Sequence, residues 1–97
     1  MMKALYNKEE LVKCLTKDLE DELEGIINYE HIYQSFIELG LMKEANIIER
    51  ISADEYDHAV SLWDMLKEHG ADLTHHADIQ EKWNEVKGSD GQPVYKP

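Results

Sequence analysis

From Val12 to Phe36 apolar side chains recur every three or four residues, with no proline to interrupt them. The series runs Val12, Leu15, Leu19, Glu22, Ile26, Tyr29, Tyr33 and Phe36, apolar but for Glu22, which keeps the same step. That period puts them on one face of a single helix. Leu11, Leu23, Ile27 and Ile37 widen the stripe. Asn7 is a good N-cap, and Glu10 three residues later completes a capping-box pattern. Gly40 is placed to end the helix. The pattern predicts helix 1 over about residues 8 to 39, on the order of 48 Å at 1.5 Å per residue.

A second stripe starts at once: Leu41, Ala45, Ile48, Ser52, Ala59, Leu62 and Leu66, with Ile47, Ile51, His58 and Met65 alongside and Gly70 as the stop. So short a link makes the two helices antiparallel neighbours. Beyond Gly70 the period weakens. Thr74 reads as the cap of a short helix over about His75 to Lys87, with Ile79, Trp83 and Val86 on one side. Residues 88 to 97 hold turn formers without a period and read as an extended tail. The expected fold is all-α: residues 1–70 form a long antiparallel hairpin, and residues 71–97 a short helix and an extended C-terminal tail.

Each long stripe is interrupted by a carboxylate where a helix wants leucine. Glu22 falls between Leu19 and Ile26, and Glu55 between Ser52 and Ala59, with His58 one turn on. An unpaired buried charge costs several kcal/mol, so two such intrusions ask for a cation. A lone Glu-x-x-His match is weak in a chain with five histidines; position gives it weight. Residues three apart share a helix face, so Glu55 and His58 can reach one point. Glu22 lies 18 residues before Gly40 and Glu55 lies 15 after it, which sets them at similar heights in the hairpin. The other reading leaves both glutamates in water at the hairpin's rim.

At 97 residues the chain is one domain near the lower edge of what buries its own core, so association with another copy is expected. A twofold pair of hairpins doubles the set to four glutamates and two histidines, the ligand count of di-iron and di-manganese carboxylate bundles. Four carboxylates also balance two divalent ions. Oxygen-rich donors with one imidazole per ion suit iron or manganese, whereas structural zinc prefers thiolate and imidazole. Iron and manganese stay open.

Other residues carry weaker signals. Tyr29, one heptad after Glu22, faces the site's next layer, as a core tyrosine, as a hydrogen-bond partner of a ligand carboxylate or as a redox-active group. Gly25 costs about 1 kcal/mol relative to alanine in a helix, which close backbone approach or space for ligands would explain. Asp21 and Glu24 flank Glu22 on other faces, either solvated or drawing cations inward. His31, His69, His75 and His76 lack a partner at metal-ligand spacing. Cys14 reads as a small core residue, and Trp63 and Trp83 as packing or interface residues.

The formal charge of −11 argues against nucleic acid as a partner. There is no apolar run near the length of a membrane span and no signal-peptide core at the N-terminus. One cysteine excludes an internal disulfide and fits a reducing, cytoplasmic setting. Nucleophile elbows, glycine-rich phosphate loops, CxxC pairs and basic grooves are absent, which removes most hydrolase, kinase and nucleic-acid readings.

The segment Asp21-Glu22-Leu23-Glu24-Gly25-Ile26-Ile27-Asn28-Tyr29 resembles the first metal helix of encapsulated ferritins, short two-helix members of the ferritin-like superfamily. The spacing from Glu22 to Glu55-x-x-His58 around Gly40 is similar to half of a bacterioferritin or rubrerythrin bundle. The resemblance spans about residues 10 to 69. It implies a homodimeric, or higher-order, ferritin-like four-helix bundle with a di-iron centre at the interface, two irons per dimer. Glu22 would be a terminal carboxylate ligand, Glu55 the bridging carboxylate and His58 the terminal imidazole. Asp21 and Glu24 would attract iron at the entry route. The implied activity is ferroxidase: Fe(II) is oxidised to Fe(III), with dioxygen or peroxide as the oxidant. Asn28 departs from the aromatic residue usual at that position. An encapsulin shell is a family partner for which the tail offers no apolar loading stretch. A rubrerythrin-like peroxide reductase shares the site, and a metal-free helical assembly or adaptor module shares the hairpin.

Overall fold

The computed structural model describes residues 5–73 and 76–87, and within them the chain is all-helical: α1 (Lys8–Glu38), α2 (Met42–Glu68) and α3 (Ala77–Lys87). The expected tail and the capping role of Thr74 lie outside the described residues.

The capping box forms as the sequence requires. The Glu10 backbone N–H donates to Asn7 Oδ1 at 2.8 Å, and the Asn7 N–H donates to Glu10 Oε1 at 3.3 Å. At the other end, Gly40 adopts φ 75°, in the left-handed region that suits a residue without Cβ. Its N–H donates to the Ile37 carbonyl at 3.0 Å, and the Leu41 N–H to that of Phe36 at 2.9 Å. This paired bonding satisfies two carbonyls the helix would otherwise strand. α2 stops in the same way at Gly70 (φ 82°), with Ala71 N–H reaching the Leu66 carbonyl at 3.0 Å. α3 begins with the Ile79 N–H donating to His76 Nδ1 at 3.4 Å, so a histidine ring caps it.

At 1.5 Å per residue α1 and α2 are about 46 and 40 Å long. Laid end to end they would far exceed the molecule's longest extent of 55 Å. Joined by three residues, they fold back on each other as an antiparallel hairpin. Leu19, Leu23 and Ile26 of α1 meet Ala59 and Leu66 of α2 in the core, with Ala45 and Ser52 also buried on α2. The small residues recur every seven positions, Ala45, Ser52 and Ala59, and let the helices approach closely.

α3 packs against α1 and covers one flank of the seam. Ile79, Trp83 and Val86 are buried. The Trp83 ring stacks on Trp63 with centroids 4.5 Å apart and lies 6.3 Å from Tyr56, both on α2. Lys82 pairs with Glu20 of α1 at 3.5 Å. Cys14 corrects the sequence reading: it is exposed. It stands nine residues from Leu23, which at 100° per residue is the opposite side of α1.

Candidate metal centre

α3 closes one flank of the seam and leaves the other to solvent, and Glu22, Glu55 and His58 lie on that open flank. Taking Leu23 and Ala59 as the inward directions, helical rotation carries Glu22 and the pair Glu55 and His58 to the side away from Glu20, Tyr56 and Trp63. One ligand atom from each of the three residues lies within 4.8 Å of the other two. Glu22 and Glu55 are half-buried and His58 is exposed. The hairpin thus brings the expected donors together at one height, as the count from Gly40 requires.

The site is electrostatically frustrated. Oε2 of Glu22 is buried with no hydrogen-bond partner. A hydrogen bond shared with Glu55, then burial, then the charge of Glu55 push the Glu22 carboxyl up to about 7 from its ordinary 4.5. His58 works in the opposite direction, and Asp18 adds to the rise. Two carboxylates with no cation between them hold a proton in its place. A divalent ion would replace that proton and give the orphaned oxygen a partner. Two oxygens and an imidazole nitrogen form a donor set suited to iron or manganese.

The three residues sit in an open cleft whose walls add Asp18, Asp21, Ser61 and Leu62. No lysine or arginine among the described residues lines it. Asp21 is on the wall, but Lys17 holds it in an ion pair at 3.1 Å, and that hydrogen bond raises the Lys17 pKa. Glu24 is exposed and does not line the cleft. Tyr29 is half-buried against the core and does not line it either. A Cβ at Gly25 would meet nothing within 4 Å, so close backbone approach does not account for this glycine. Asp18 escaped the sequence reading although its signal was present: it stands four residues before Glu22, where helix neighbours share a face.

Apolar residues on the same flank remain unusually open: Leu11 is 46 % exposed, Ile51 38 % and Met65 37 %. Leu11 and Leu15 of α1 meet Met65 and Leu66 of α2 around an apolar groove toward the hairpin's open end. No helix among the described residues is long and apolar enough to cross a membrane. No protein-family model matches the chain, and no curated protein or solved structure matches it either.

Proposed function

We propose that two copies of this chain associate through the open flank into a four-helix bundle that holds a carboxylate-bridged di-iron centre and oxidises Fe(II). The observation that carries this reading is the convergence of Glu22, Glu55 and His58 within 4.8 Å, on a face where Glu22 keeps a buried, unpartnered oxygen. One hairpin offers two carboxylates and one imidazole, too few donors for two ions. A twofold copy completes four and two, the count of di-iron and di-manganese carboxylate bundles.

In this reading Glu22, Glu55 and His58 of both chains would hold the two ions. Bound iron supplies one-electron redox chemistry, with dioxygen or peroxide as the acceptor. The residues of the chain do the rest. Glu22 gives up its proton as the ion enters, so loading releases protons below about pH 7. His58 contributes a neutral nitrogen that adds no charge. Leu11, Ile51 and Met65 leave water when the second copy docks, which stabilises the pair and dries the site. Four carboxylates brought together without ions would repel, so metal binding and assembly reinforce each other.

The test combines metal content with activity. Untagged protein supplemented with iron is expected to carry two irons per dimer and to turn over Fe(II). Comparing oxygen with peroxide as oxidant separates a ferroxidase from a peroxide reductase. Glu55→Ala and His58→Ala should each abolish Fe(II) oxidation while far-UV circular dichroism keeps the helical signal. Full activity in both variants would refute the assignment. Absence of metal after supplementation would favour a helical assembly module, a role the exposed apolar residues could also serve.

A further inference from the structure

We infer that Asp18 is the capture residue of this centre: a carboxylate at the cleft mouth that receives the incoming divalent cation and hands it to Glu22, without remaining a ligand. The inference rests on the metal-centre reading above and adds to it the route of loading.

Three observations support it. Asp18 lines the same cleft as Glu22, Glu55 and His58. It stands four residues before Glu22 on α1, where helix neighbours share a face. It is exposed and has no ion pair or hydrogen bond among the described residues, whereas the other wall aspartate, Asp21, is tied to Lys17 at 3.1 Å. The two wall carboxylates are therefore unequal. Lys17 offsets the charge of Asp21, while that of Asp18 is available to a cation from solvent.

Position explains why capture and not coordination is the role. Asp18 and Glu22 are four residues apart on α1, so their side chains are neighbours about 6 Å apart at Cβ. The ligand atoms of Glu22, Glu55 and His58 cluster within 4.8 Å, and Asp18 is not part of that group. An ion at Asp18 is one step along the helix from the centre, in a cleft whose like charges focus the field on cations. In water a divalent ion at such a distance from one unit charge is attracted enough to change its encounter rate about fivefold at low ionic strength. Salt should erase most of that difference, because the Debye length falls to a few ångströms.

The test measures Mn(II) uptake, which needs no redox turnover, by stopped flow with a fluorescent chelator reporting the free ion. Asp18→Asn is expected to slow uptake about fivefold in dilute buffer and less than twofold near 0.5 M salt. Bound Mn(II) at saturation should match the wild type. Asp18→Glu should restore fast, salt-sensitive uptake, and Asp21→Asn should slow it less than Asp18→Asn. Unchanged uptake by Asp18→Asn beside a wild type that binds Mn(II) would overturn the inference and leave the metal centre standing. Loss of bound ion at saturation in Asp18→Asn would make Asp18 a permanent ligand and overturn it too. A wild type that takes up no Mn(II) sinks the centre and the capture role together.

Discussion

Glu22→Gln should strengthen the metal-free fold while destroying its capacity to bind metal. The folded carboxyl keeps its proton up to about pH 7, whereas in the unfolded chain it ionises near the ordinary 4.5. Between those values the folded chain binds more protons, so raising the pH through that window removes stability. The gap between 4.5 and about 7 sets a ceiling of about 3 kcal/mol. Partial exposure and screening should reduce it to about 1–2 kcal/mol. Glutamine carries no charge and can donate an amide N–H to Glu55. Wild type and Glu22→Gln should therefore be similarly stable near pH 4.5, and the variant should pull ahead as the pH rises to about 8. For a domain of this size each kcal/mol moves the melting temperature by about 4–8 °C. The assay is thermal and urea unfolding in chelator across that range, read as the difference between the two proteins. The subtraction cancels the self-repulsion of a chain with net charge −11. A difference that stays flat with pH, or a variant less stable than wild type near pH 8, would refute the claim that Glu22 and Glu55 oppose each other.

Two further substitutions probe the fold around the site. Trp83→Ala removes the ring stacked 4.5 Å from Trp63 and should cost about 3 kcal/mol. The near-UV circular dichroism of the tryptophan pair should collapse while Mn(II) uptake persists; an unchanged near-UV spectrum would mean that α3 is not held by this stack. Gly25→Ala meets open space around its new methyl group and should stabilise α1 by about 1 kcal/mol. A lower melting temperature for this variant in chelator would show that the position needs glycine for a reason the single chain does not contain.

The hairpin was legible because its signals agree at every level. Asn7 and Glu10 cap the start, Gly40 and Gly70 supply the left-handed stops, and the apolar period never shifts between them. The turn at Gly40 also sets the register, so the matching heights of Glu22 and Glu55 follow from counting along the chain. Spacing says which residues share a face, but not how sharply that face ends. Cys14 shows the limit, since a small apolar residue within a helical run reads as core until its angle is known. Asp18 fails in the other direction. One carboxylate among many on a strongly acidic helix looks solvated; the cleft singles out Asp18 and Asp21 together, and the Lys17 ion pair of Asp21 tells the two apart.

The position of α3 could not be read at all, and it bears most directly on function. A stripe wide enough to meet neighbours on both sides has the same period whether a helix of its own chain or of another copy covers each side. Trp63 and Tyr56 point toward one flank, and Trp83 claims it from within the chain. Leu11, Ile51 and Met65 are left on the other flank, around the frustrated carboxylates. Any second copy that buries apolar surface along the seam must therefore approach from the side where Glu22 and Glu55 face each other. It cannot do so cheaply while both are ionised and unpaired, because their charge would lose water without gaining a counter-ion. Chelated protein should accordingly dissociate as the pH rises past about 7, where Glu22 loses its proton, and Mn(II) should restore the pair. Sedimentation that shows a tight dimer in chelator near pH 8, indifferent to Mn(II), would place the partner on another surface and detach assembly from the metal.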